Sequence, residues 1–170
     1  MKSFSKLCVP IGLETLCYML AGMVDTVMLS TVGDTAVGAV GTANTYINVF
    51  IIMFNVVASG MIAVMTQYIG AGRPGIAYQA MQLGAAFNAL LGVLLSLFLG
   101  LFSGNILEIV GVAPLLTEYA DTYLRIVGGG CFLNALIPIF SSYLRAFGYT
   151  KQPLTATLIS NGANLGLNAL

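Results

Sequence analysis

Two acidic side chains sit where an apolar sequence has little reason to keep them. Glu14 and Asp25 lie eleven residues apart in a stretch with no other charge between Lys6 and Asp34. On a helix, eleven residues turn through about 1100°, which brings the two carboxylates within about 20° of one face and about 16 Å apart along the axis. A carboxylate in apolar surroundings can hold a proton, because burial penalises its charged form. It can also balance a small monovalent cation whose water is replaced by amide oxygens. Such oxygens recur at helical spacing. Asn44, Asn48, Asn55 and Ser59 follow at steps of four, seven and four, and Asn161, Asn164 and Asn168 at steps of three and four. Each series falls on one helix face. Glu14, Asn44, Asn48, Asn55 and Asn161 are therefore candidate cavity-lining residues, and the chemistry they offer is cation or proton binding. The plainer reading is an ion-paired acid and amides that hydrogen-bond between helices.

Little other chemistry is available. The chain has no His, and Cys8, Cys17 and Cys131 lie in apolar runs without a CxxC pair, so they read as small buried apolar residues. No nucleophile is paired with a base. Gly70, Gly72 and Gly75 spell GxGxxG, but a dinucleotide site needs a strand before the motif. Here the preceding segment is a long apolar run, so the glycines read as a tight turn. No enzyme, no cofactor, no structural metal and no nucleic-acid partner is expected.

The elements that must position these residues follow from composition. Of 170 residues, 58% are apolar and only 7% charged, with six bases balancing six acids. Soluble domains carry about 25% charged residues, and a chain this short cannot hide so much apolar surface from water. The expectation is an all-α, multi-pass membrane protein, with the bilayer as its first partner. About 20 apolar residues cross the membrane as a helix, and five stretches qualify, at 7–32, 43–69, 76–102, 117–147 and 153–170. Turn-forming residues separate them, including Gly33-Asp34, the Gly70–Gly75 segment, Gly111–Pro114 and Gly148–Pro153. The runs are too long, and too little alternating, for membrane strands.

With the N-terminus in the cytoplasm, Lys2, Lys6, Arg73, Arg145 and Lys151 fall inside, whereas Asp34, Glu108, Glu118, Asp121 and Arg125 fall outside. This is the positive-inside pattern, and it supports both the orientation and the helix count; the plasma (inner) membrane is the expected location. The third stretch repeats small or weakly polar residues at Ala80, Gly84, Asn88, Gly92, Ser96 and Gly100, the pattern of a close-packing seam. Pro10 and Pro138 each remove a helix donor and mark candidate bending points. The last stretch lacks a cap, a following turn or a flanking charge, so the chain is expected to be the N-terminal part of a longer protein.

The run Pro10-Ile11-Gly12-Leu13-Glu14, with Gly22-Met23-Val24-Asp25-Thr26-Val27-Met28, resembles the first helix of the multidrug and toxic compound extrusion (MATE) family. The loop Val32–Gly41, the segment Thr66–Arg73, Tyr123–Ile126 and Leu144–Pro153 are similar to that family's following loops and fourth helix. The resemblance covers essentially the whole chain. It implies about five helices of a six-helix N-terminal lobe, with a second lobe absent from this sequence. It also implies an antiporter that exports drugs or other organic, cationic small molecules by alternating access, driven by protons or sodium. Asp25 matches the family's helix-one acid, and Asn164 and Asn168 match the positions that complete a proton or Na+ site. Some members carry an acid where Asn168 stands, so this chain departs from a two-carboxylate site. Two other readings are a lipid-linked saccharide flippase of the same broad architecture and a non-transporting truncated membrane protein.

Overall fold

The computed structural model describes residues 2–168 and is helical throughout, with no strand among the described residues. Helix α1 spans Lys2–Ser30, α2 Asp34–Gly70, α3 Pro74–Val110, α4 Pro114–Tyr123, α5 Cys131–Ala146 and α6 Lys151–Asn168. A π-helical turn at Leu124–Gly128 continues α4. The chain divides into two compact units. One holds residues 1–34 with 144–170, and the other residues 35–143.

Local chemistry explains the boundaries. Asp34 stands in the first turn of α2, where a carboxylate complements the helix dipole. The segment expected as a loop up to Gly41 is therefore already helical, and Ala36, Ala39 and Ala43 extend its buried stripe. Pro74 opens α3 and Pro114 opens α4, a position where the missing N–H costs nothing. Gly111 closes α3 at φ 74°, its N–H returning to the last turn, and Gly72 turns α2 into α3 at φ 71°. Both need the left-handed conformation that glycine tolerates best. The GxGxxG glycines accordingly form the end of α2, a tight turn and the start of α3.

The fourth stretch departs most from expectation. A single helix over 117–147 is replaced by two helical pieces bent by 47°. The break falls at Gly128-Gly129-Gly130, where no side chain supports the ladder, while the helices run unbroken through Pro10 and Pro138. Among the described residues three helices are long and apolar enough to cross a membrane, or four when the bent pair is one span. The described part of α6 does not meet that standard, since it opens with Lys151 and Gln152 and carries three asparagines.

In the 35–143 unit the core joins Ala39, Ala43, Ile47 and Phe54 of α2 to Leu99 and Leu107 of α3, Ala120 and Leu124, and Cys131 and Ala135 of α5. The expected α3 seam packs closely at Gly84 and Gly92 but lies open at Gly100. A Cβ added at Gly84 would meet Met61 Sδ at 3.0 Å, and one added at Gly92 would meet Ala135 Cβ at 2.7 Å. Backbones approach this closely only where side chains are absent.

Candidate functional site

In the first unit α1 and α6 lie side by side and run the same way. Asn161 Nδ2 donates to the Cys17 carbonyl at 2.8 Å and fixes their register. Between them lies a hollow of about 210 Å³, lined by Cys17, Leu20, Ala21 and Val24 of α1 and by Asn161, Asn164 and Leu165 of α6. Asp25 follows Val24 and stands one turn beyond Ala21 on the same face. It is half-buried, as is Asn164, and each of the two takes part in a further interaction. Eight residues beyond Cys17 and seven beyond Asn161, the shared direction brings the backbones of Asp25 and Asn168 to nearly one level. The side chain of Asn168 lies outside the described residues. Two amides thus border one small, mostly apolar hollow, and Asp25 follows its lining residue Val24 in the chain.

Glu14 has a different setting. It is buried, and its Oε2 accepts from Arg145 Nη2 at 2.7 Å. Helical spacing puts Glu14 on the face of Asp25, but that relation cannot reveal a base 131 positions away. Of the two readings of Glu14, the pairing fits the plainer one, an ion-paired acid. Arg145 Nε is also buried and finds no partner among the described residues.

The second unit divides the asparagine stripe of α2. Asn44 Oδ1 accepts the Tyr123 hydroxyl at 3.0 Å and links α2 to the end of α4. Asn55 Nδ2 returns to the Ile51 carbonyl of its own helix at 2.8 Å, and Asn48 is exposed. Residue spacing alone also undervalued Asn88, which it assigned to a seam of small residues. Asn88 is fully buried and donates to the carbonyls of Phe54 at 3.2 Å and Ala135 at 2.9 Å, tying three helices together. Its Oδ1 has no partner among the described residues. Nearer the end of α3, Ser103 donates to Asp121, and Arg125 Nε contacts both Asp121 Oδ2, at 2.9 Å, and Ser103 Oγ, at 3.1 Å.

The MatE family profile matches residues 10–170. The chain belongs to the MatE family. Among curated relatives of this MatE chain, the uncharacterized transporter YisQ of Bacillus subtilis is 32% identical over 98% of the chain. The probable multidrug resistance protein NorM of Thermotoga maritima is 27% identical, again over 98% of the chain. A FAD transporter of Shewanella oneidensis is 25% identical over 89%. The MatE chain covers 37%, 36% and 33% of these proteins, about a third of their length. A solved MOP superfamily transporter from Pyrococcus furiosus superposes with a TM-score of 0.89 at 20% identity, covering 98% of this chain and 37% of that one. At that identity the likeness speaks for the fold. Family and apolar helices together make this an integral membrane protein.

Proposed function

We propose that this chain supplies the N-terminal, ion-coupling part of a proton- or sodium-driven antiporter that exports organic, cationic small molecules by alternating access across the plasma membrane. The observation that carries the reading is the α1–α6 hollow with Asn161 and Asn164 in its wall and the half-buried Asp25 next along the chain from its lining residue Val24. Asp25, Asn164 and Asn168 form the proposed coupling site. Glu14 is paired with Arg145, and Asp25 is the acid proposed to take up the proton or the ion. Loading that site changes the packing of α1 against α6 and biases the lobe between its two access states.

The magnitudes are adequate. One charge crossing about 100 mV releases about 2.3 kcal/mol, and one pH unit adds about 1.4 kcal/mol per proton. Together they sustain a substrate gradient of a few hundredfold at one-to-one exchange, at roughly 1.4 kcal/mol per factor of ten.

The test is transport by the full-length protein carrying Asp25→Asn in proteoliposomes with imposed sodium or proton gradients. Loss of gradient-driven export supports the assignment, and export with unchanged gradient dependence refutes it. Organic cations are the expected substrates. FAD belongs in the same assay, because one relative is named for its transport.

A further inference from the structure

The bend between the π-turn and α5 opens a second groove, far from the α1–α6 hollow in sequence and confined to the 35–143 unit. Its volume is about 500 Å³, and Val93, Leu97, Gly100 and Leu101 of α3 face Gly129 and Phe132 across it. The lining is apolar and exposed, with Leu101 at 71% and Leu97 at 56%. Ser96 also borders it, but its hydroxyl already accepts the Phe132 N–H at 2.8 Å.

Depth identifies what fits. α3 has 37 residues, so it is about 55 Å long, and its midpoint is Gly92. When that midpoint is centred in a hydrocarbon core about 30 Å thick, the groove from Val93 to Leu101 runs from the mid-plane through about 14 Å, which is one leaflet. Ser103 stands about 16 Å from the midpoint, at the hydrocarbon boundary. Arg125 is held there. Nε of Arg125 is taken by Asp121 and Ser103, and the side chain is 58% exposed. Its two terminal nitrogens make no hydrogen bond among the described residues. The carboxylate of Asp121 occupies the Nε edge, so an approaching anion meets the opposite edge, where a guanidinium binds phosphate with two parallel bonds. Helical spacing aligns the parts. Ser96, Gly100 and Ser103 share one face of α3, and Arg125 lies one turn from Gly129.

We propose that this groove seats one phospholipid of the leaflet facing the C-terminal end of α3, with an acyl chain along Val93–Leu101 and the phosphate on Arg125. A second helix is the alternative occupant, since Gly100 and Gly129 would also admit a close helix, and the test below separates the two.

The experiment uses the full-length protein in bilayers doped with phosphatidylglycerol carrying a photoactivatable group in mid-chain, or with the diacylglycerol of the same chains. The expected result is labelling of residues 93–101 and 129–132. Gly100→Leu should suppress it with both lipids, since a Cβ at that position meets nothing within 4 Å and the larger side chain takes up groove volume. Arg125→Gln should lower phosphatidylglycerol labelling about tenfold, the scale of a lost hydrogen bond to a charged group, and leave diacylglycerol labelling unchanged. An unaltered thermal transition confirms that each variant is folded. Labelling that ignores Gly100→Leu, or that falls equally for both lipids in Arg125→Gln, overturns the proposal. So does the absence of lipid label together with cross-linking of residues 93–101 to another segment of the protein, which would show a helix in the groove.

Discussion

Arg145 Nη2 stands 2.7 Å from Glu14 Oε2, so the end of α5 is tied to the interior of α1 by a nearly buried ion pair. Taking both charges from water is costly, and the pair as a whole adds little to stability. Breaking it from one side is a different matter, because the remaining charge stays buried without compensation. Arg145→Met is expected to destabilise the full-length protein by about 3–5 kcal/mol. The double variant Glu14→Leu with Arg145→Met should recover most of that loss. Thermal unfolding in detergent measures both, and equal losses in the single and double variants would contradict the pairing.

The α1–α6 hollow makes a graded prediction for binding. Asn164→Ala removes an amide from the wall beside Asp25 and should raise the half-saturating concentration of the coupling ion about tenfold, equivalent to about 1.4 kcal/mol. Thr155→Ala touches an exposed hydroxyl bonded within its own helix and should leave that value unchanged. Ion-dependent transport in proteoliposomes distinguishes the two, and an unshifted Asn164→Ala would remove this residue from the site.

The α3 seam separates two glycines that look alike in sequence. A Cβ at Gly92 would lie 2.7 Å from Ala135 Cβ and 3.1 Å from the Phe132 backbone, whereas one at Gly100 meets nothing within 4 Å. Overpacking a tight contact costs about 1–3 kcal/mol. Gly92→Ala should therefore lower the unfolding temperature measurably, and Gly100→Ala should not. Matching effects would mean that α3 and α5 do not approach as closely as described.

The break after Gly128 leaves the Phe132 N–H to a side chain on another helix, the Ser96 hydroxyl at 2.8 Å. Leaving such a donor unpaired costs about 1–3 kcal/mol. Ser96→Ala is expected to speed amide hydrogen exchange over residues 128–133, and Ser96→Thr, which keeps the hydroxyl, to restore protection. Exchange that is the same in all three proteins would show that the bend does not depend on Ser96.

Composition pointed to a membrane chain, since a sequence so poor in charge cannot bury its apolar surface in water, and the long, non-alternating apolar runs made it helical. Glycine and proline placed its turns, and four-residue spacing placed the α3 seam, because helical periodicity is a local property. The helix-one acid and the amides of α6 were equally legible, as each is a pattern within one element. Partners were not. No local rule links Glu14 to Arg145, Asn44 to Tyr123, or Asn88 to the carbonyls of Phe54 and Ala135. The bend of the fourth stretch was hidden as well, since prolines signal kinks locally whereas three glycines yield only where neighbouring helices hold the broken ends. Only the packed structure decided which polar groups are spent on each other, because a hydrogen bond between helices depends on register and depth, and these are set by contacts far apart in sequence.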